Sequence, residues 1–495
     1  MDRVATEAPA GLTPSGLRRL SLAAAALAIA ACLVAISVGS PAFAYEIVPS
    51  TENVARFFVL AAGAGAAYLL FAALTPRARI GGRTLAAFVA LGAAARLAFF
   101  GSTPIYEDDW YRYLWDGAVV AEGVNPYVVT PADASLTDAF GAPLPATNDA
   151  DVQRLRALGA SLDHWPERIN YPFVSTIYPP LAQAAFAAAN LITPFDLDAW
   201  RVVLLAADAA GLALLFALLK RVGRRAHWAL LYWLNPIVIL TTYNAAHMDV
   251  LLAPFLLGAT LLVLADRPAW AGASLGAAVA VKFWPAMLAP LLFRRWLGRP
   301  ARLAVAALAL AVATAAFVGP MLASLDFDRS GLVAYANTWR RNAFLFPLIA
   351  RLFDGIAADP DLAARCVAAL VPLSYIAWAT VRRPRDDASA LRRLPEAMLV
   401  SVLIFYLFSP TGYPWYATWF FLFAPFARPN GPATLGAIAL AATLPIYYLR
   451  FSLERLGQAD YFNNVLAPIE FGAPIALVLG EAARRTLVAR WKAAA

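Results

Sequence analysis

The stretch PIYEDDWYRYLWDG, residues 104–117, runs three consecutive acids, Glu107, Asp108 and Asp109, into a row of aromatic side chains. Carboxylates grouped in this way suit three kinds of work: a general base for a hydroxyl, ligation of a divalent cation, or plain solvation of a loop. Arg112 and Asp116 follow at near-helical spacing, so one helix would turn them to a face shared with Asp108 and Asp109. Trp110, Tyr111, Tyr113 and Trp115 add a belt of rings suited to a membrane interface and to stacking on sugars.

Cations that could meet an anion come from three other places. Arg96 stands just before the acidic stretch inside an apolar segment, where it must either snorkel to the surface or face a cavity or partner. Lys282 sits between AVAV and FWPAM, and an ionisable group at that depth is a functional candidate by default. NTWRRNAFLFP, residues 337–347, carries Arg340 and Arg341, which suit a phosphate or ordinary headgroup contact. Between these, NAAHMDVLLAPF supplies Asn244, His247 and Asp249, as hydrogen-bonding groups for a sugar or phosphate or as helix caps. His247 and Asp249 are two apart and would not share a helix face, so a zinc site is not expected. SPTGYPWYATWFF, residues 409–421, offers Tyr413, Trp415 and Tyr416 around a turn whose Pro410, Gly412 and Pro414 punctuation needs no function. His164 and His227 add little.

The elements that must hold these residues follow from composition. Of 495 residues, 61% are hydrophobic and 15% charged, with a mean hydropathy of +0.63, which describes an all-α polytopic membrane protein. Twelve to fourteen segments are apolar enough to span. The net charge of +8 resides largely in short arginine-rich clusters between them: Arg18/Arg19, Arg77/Arg79/Arg83, Lys220/Arg221/Arg224/Arg225, Arg294/Arg295/Arg299, Arg382/Arg383/Arg385 and Arg484/Arg485. That pattern reports orientation and excludes a nucleic-acid partner. Cys32 and Cys366 form no metal or redox motif. Residues 20–39 followed by SPAFAY mimic a signal peptide, but the apolar run is long and further spans follow, so a retained helix is expected.

Placing every basic cluster on the cytoplasmic side divides the chain into three parts. Residues 1–101 form three spans, 102–199 an extracytoplasmic acidic loop with a juxtamembrane helix, and 200–495 the remaining bundle with outer loops at 323–361 and 450–464. The loop holds eleven acids against four arginines over 102–175. Residues 176–192 are read as a helix at the interface, opened by Pro179 and Pro180, because a further crossing would misplace Lys220 to Arg225. Residues 269–293 are too few to cross twice and are read as a shallow hairpin with Lys282 near its tip.

The ordered blocks EDDWYRYLWDGAVVAEGVNPY, STIYPPLAQ, YNAAHMD, AVKFWPAMLAPLL, TWRRNAFLFP and GYPWYATW resemble the bacterial GT-C glycosyltransferases, especially the polyprenol-phosphate-mannose-dependent mannosyltransferase type, over roughly residues 84–425. The resemblance implies a GT-C helical bundle in the bacterial inner membrane with its active site facing outward. It implies transfer of a hexose, mannose in that type, from a polyprenyl-phosphate donor to a glycan or lipid acceptor, with inversion. It places the base at Asp109, with Asp108 next and Glu107 third, and it makes Arg112, Lys282, Arg340, Arg341 and Arg96 the cations for the donor phosphate. Asp116, Asn244, His247, Asp249, Tyr413 and Trp415 are the substrate-binding candidates. No cofactor is called for, a divalent cation being one option for the carboxylates. A lipid-linked sugar transporter or a glycan ligase or polymerase remains an alternative on the same residues.

Overall fold

The structure of the protein, a computed structural model, describes residues 14–136, 144–162, 165, 168–382 and 387–494. His164, Arg383 and Arg385 lie outside the described residues. The described elements are helices, joined at two points by isolated β-bridges, Ser175 to Ser330 and Arg341 to Thr411.

The first three helices, α1 (Pro14–Gly39), α2 (Thr51–Leu74) and α3 (Gly82–Leu97), pack as an apolar group. Ser50 caps α2 by accepting the Asn53 backbone N–H at 3.2 Å. Within the acidic loop lie the short helices α4 (Asp109–Ala121), α5 (Ala150–Ala160) and α6 (Pro180–Ile192), followed by the long α7 (Leu197–Arg221). Asp196 caps α7 by accepting from Ala199 N–H at 2.6 Å, and Lys220 and Arg221 close it, each charge suiting its end of the helix dipole.

Basic clusters far apart in sequence gather at one end. Arg18 donates to the Arg77 carbonyl (3.1 Å), Arg225 to that of Ala78 (3.3 Å), Arg224 to that of Ala427 (2.6 Å) and Arg221 to that of Leu264 (3.1 Å). The acidic loop meets the other end of α1, where Ser40 Oγ accepts the Thr103 N–H at 3.0 Å. A charge-sorted bundle of this kind is what an orientation rule based on Lys and Arg expects.

Among the described residues, seven helices are long and apolar enough to cross a membrane, or eight if the bent pair Pro236–Asn244 and Met248–Leu264 is one span. The sequence suggests twelve to fourteen. The difference lies in apolar segments that the fold breaks: α3 has 16 residues, and the 227–243 segment is divided into a 3₁₀ turn, two short α-helical pieces and a π-turn. Hydropathy counts apolar length, whereas breaks at Pro236 or around Lys282 depend on what the freed backbone groups meet.

Residues 268–293 form a hairpin. Pro268–Val279 rises from Asp266, and after a turn holding Lys282 the chain returns through Trp284–Leu288 and Ala289–Phe293. Its ends are tied together: Trp296 Nε1 donates to Asp266 at 2.7 Å, and Arg295 donates to the Val263 carbonyl. Its tip lies beside Asp249, at the start of the preceding helix.

The helix α6 opens at Pro180 and packs along α4, and at 13 residues each is shorter than a transmembrane span needs. Gly117 permits this contact, since a Cβ there would stand 2.4 Å from the Phe186 carbonyl oxygen. One face of α4 enters a small core of its own, with Trp115 and Val119 against Leu155 and Ile169. Tyr113 and Leu114 face the main core. The start of α4, which carries Asp109 and follows directly on Glu107 and Asp108, is thereby anchored from two sides.

Candidate functional site

A cavity of about 980 Å³ opens where α4, the hairpin tip, the 331–341 segment and the 413–419 turn converge. Glu107, Asp108 and Asp109 line one side, and Lys282, Arg340 and Arg341 line others. Tyr113, Tyr413, Trp415 and Tyr416 also lie on its wall. The rest of the wall includes Trp284, Met287, Pro372, Leu373 and Phe405, with Leu373 exposed on the outside of the bundle, so one space joins charged groups to a greasy channel.

The acids reach the wall through an unusual local conformation. Tyr106 has φ +62°, a left-handed value that is an outlier for a bulky residue, and its ring stacks on Phe451 at 4.9 Å. Among the described residues six non-glycine residues have positive φ, and three of them, Tyr106, Tyr171 and Asn342, line the cavity or directly follow a residue that does. Each such residue costs on the order of 1–3 kcal/mol, so their gathering around one cavity marks a site over-determined by its surroundings.

Within the triplet the three carboxyls differ. Glu107 is buried, and burial plus the neighbouring Asp109 and Asp108 raise it well above the ordinary carboxylate range. Asp108 accepts from Asn170 Nδ2 and is raised to about 7 by burial and by Asp109 beside it. Asp109, whose side chain is 31% exposed, is raised to about 6 by burial, against which Lys282 pulls it down. It is the acid that faces the hairpin lysine, and Tyr113 Oη donates to its Oδ2 at 3.4 Å.

Each cation on the wall has an acid behind it. Lys282 Nζ donates to Asp249 Oδ1 at 2.6 Å and lies 4.8 and 5.1 Å from the Tyr416 and Trp419 rings. Asp249 is buried, off the cavity wall, and also accepts from Trp419 Nε1 at 2.5 Å, so it holds the lysine. Arg340 pairs with Asp361, and Arg341 with Glu454 at 3.4 Å. Arg341 is further held by the bridge to Thr411, where Gly412 is required: a Cβ would stand 2.4 Å from the Asn342 carbonyl oxygen. The GYP turn thus has a structural reason for its glycine and a wall position for its tyrosine.

Other candidates stand behind the wall or away from it. His247 is buried and stacks on Trp415 at 3.5 Å, which stacks on Tyr413 at 4.2 Å. Asn244 accepts the Ile105 N–H at 3.0 Å and donates to the Thr103 carbonyl at 2.8 Å, gripping the segment that leads into the acids. Arg112 does not line the cavity: its Nε donates to Asp116 at 2.7 Å and its Nη1 to the Val174 carbonyl at 3.2 Å, while Gln183 donates to the other Asp116 oxygen at 3.0 Å. Arg96 is fully buried, neither snorkelling nor reaching the acids, and binds Asp208 at 2.7 Å.

Several residues at the site carried no signal in their types or spacing. Arg201, from α7, donates to the Tyr243 carbonyl and the Ser102 carbonyl, both at 2.7 Å, so it ties the broken span to the start of the acidic loop. Glu470, fully buried, accepts from Asn342 Nδ2 at 2.9 Å behind Arg341. Asn170 and Tyr171 reach the mouth from a loop without a motif. Among the described residues no group of three or more His, Cys, Asp or Glu is placed to hold a metal ion.

Residues 176–410 match the sequence model of Glycosyltransferase family 87, a GT-C-type family of membrane glycosyltransferases. No curated protein and no solved structure matches the chain.

Proposed function

Because this chain is a membrane glycosyltransferase with a family 87 region, we propose that it moves a hexose, mannose by resemblance, from a polyprenyl-phosphate donor to an acceptor hydroxyl on the extracytoplasmic face. The observation that carries the reading is the single cavity in which a carboxylate, three cations and an apolar channel meet. The channel suits an isoprenoid chain, and Lys282, Arg340 and Arg341 suit its phosphate. The cavity lies at the end of the bundle remote from the arginine clusters, which supports an outward-facing site.

Asp109 is the base. It accepts the proton of the acceptor hydroxyl as that oxygen attacks the anomeric carbon from the side opposite the phosphate, which leaves with the bonding electron pair and inverts the centre. Charge builds on the departing phosphate oxygens, and the cations fixed by Asp249, Asp361 and Glu454 stabilise it without having to reorganise. Asp108, tied to Asn170, stands as the alternative base.

The test uses purified protein in lipid nanodiscs with a labelled polyprenyl-phosphate hexose and a glycolipid fraction as acceptor. Wild type should convert label into product, and Asp109→Asn should not. Equal rates for wild type, Asp109→Asn and Asp108→Asn would sink the base assignment. With the same protein in sealed proteoliposomes, label that crosses the bilayer without covalent transfer would favour a transporter.

A further inference from the structure

Glu107 and His247 have no stated work in the transfer just described, yet both are buried at the site. Each directly follows a non-glycine residue in the left-handed region, Tyr106 and Ala246. His247 cannot turn freely: its ring lies on Trp415 at 3.5 Å, its backbone N–H donates to the Thr241 carbonyl at 3.0 Å, and Trp200 Nε1 donates to the Ala246 carbonyl at 2.8 Å. In that orientation its two nitrogens point in different directions. Nε2 stands 3.4 Å from Glu107 Oε2, and Nδ1 stands 3.3 Å from Tyr113 Oη and 3.7 Å from Asp109 Oδ2. Tyr113 Oη in turn stands 3.4 Å from Asp109 Oδ2.

We propose that Glu107 and Asp109 hold a single proton between them through His247 and Tyr113, and that Glu107 keeps it, leaving Asp109 as the ionised base. The hydrogen bonds then run in one direction. Glu107 O–H donates to His247 Nε2, Nδ1–H donates to Tyr113 Oη, and Tyr113 O–H donates to Asp109 Oδ2. Donor and acceptor types match along the series; its first step is a 3.4 Å approach at which Nε2 has no hydrogen-bond partner among the described residues, and Asp109 Oδ1 is left for the acceptor hydroxyl. The separations are at the long end of hydrogen bonding, as catalytic hydrogen bonds commonly are without substrate. No bond is made or broken to carbon in this step; only the placement of one proton is set.

The surroundings favour that placement. Glu107 faces Asp108 and Asp109, with Arg341 as its cation and Tyr447 and Tyr448 as neutral neighbours, and its Oε1 has no hydrogen-bond partner among the described residues. Asp109 faces Lys282 and, less closely, Arg112, with Asp249 opposing them, and its side chain is more exposed. Of two coupled carboxyls, the buried one among like charges takes the proton, and the exposed one beside a lysine gives it up. His247 and Glu107 are accordingly positioning residues that act through Tyr113 on Asp109.

This inference rests on the proposed transfer reaction, and the experiment separates the two. Transfer rates are measured from pH 5 to 9 for wild type, Asp109→Asn, Tyr113→Phe, His247→Phe, Glu107→Ala and Glu107→Gln, each first shown to be monodisperse with a wild-type melting temperature. Absence of transfer by wild type would remove the parent reading. If wild type transfers and Asp109→Asn does not, Tyr113→Phe, His247→Phe and Glu107→Ala should lower kcat by roughly 10- to 100-fold. Their donor KM should stay within about 2-fold, and the acid limb of the profile should move to higher pH. Glu107→Gln still donates to Nε2 and should recover most of the rate lost in Glu107→Ala. The Tyr113→Phe/His247→Phe double variant should be no slower than the slower single. Glu107→Gln as inactive as Glu107→Ala, a Tyr113→Phe profile unmoved from wild type, or multiplying losses in the double variant would overturn the proposal.

Discussion

Two carboxylate–cation pairs sit among the apolar helices, one joining Arg96 to Asp208 and the other joining Lys282 to Asp249, and they are finished differently. In the first, both side chains are fully buried and 2.7 Å apart. Asp208 also accepts the hydroxyls of Tyr232 and Tyr243, at 2.7 and 2.8 Å. Arg96 donates to the Gly92 and Trp233 carbonyls and lies 3.5 Å from the centre of the Trp233 ring. Each pair leaves one buried atom without a hydrogen-bond partner among the described residues, Arg96 Nη2 in the first and Asp249 Oδ2 in the second, but the lysine of the second pair sits at a helix break on a cavity wall. A pair whose charge is spent inside the protein ties α3, α7 and the broken span together. A pair that leaves a cation facing a cavity, ringed by strained backbone, is arranged to meet something else.

Five experiments sharpen or break that contrast. The largest effect belongs to the cavity: Asp109→Asn should cut kcat by roughly 10²–10⁴-fold with unchanged thermal stability, read by labelled-sugar transfer and a melting curve. Next comes the closed pair. Asp208→Ala strands Arg96 and should destabilise the protein by about 3–5 kcal/mol, seen as a lower midpoint in detergent melting. Arg96→Met with Asp208→Asn should recover much of this and keep transferring sugar.

The matching exchange at the open pair, Lys282→Met with Asp249→Asn, should leave melting near wild type and lower transfer by roughly 10²–10³-fold. If both exchanges lose activity equally while folded, the distinction between the pairs fails. The pH profile gives a smaller effect. Asp109 works only when ionised, and burial raises it to about 6, so kcat/KM should fall about tenfold per unit below that pH and level off above it. Lys282 favours the ionised form, so Lys282→Met should move the limb upward. The smallest change is expected for Glu454→Gln, a partly exposed partner of Arg341, which should alter donor KM by no more than about 2- to 5-fold.

Much of the cavity was legible because its residues break local rules. Three acids beside an apolar segment, a lysine inside an apolar hairpin, an arginine pair on the acidic side and a glycine–proline aromatic turn each conflict with a greasy chain, and all four reach one wall. Arg112 and Asp116 show the limit of that reading. Helical spacing correctly puts them four apart on one face, but the face packs on Val174 and Gln183, so they satisfy one another. Arg96 shows it more strongly, since its partner lies 112 residues away on α7 and nothing local marks Asp208 as the end of that bond. The count of long unbroken apolar helices is lower than the count of apolar segments for a related reason, because hydropathy cannot see where neighbours satisfy a broken backbone.

Composition and periodic apolar length determined that this chain is an α-helical membrane protein, and charge placement determined which ends of its helices gather together. Those properties are sums over many residues and survive any one misplacement. Which acid faces the lysine, which aspartate merely holds it, and which arginine is locked away were decided only by tertiary structure. A charge in a low-dielectric bundle is defined by the few atoms within about 4 Å of it, and these arrive from segments more than a hundred residues apart.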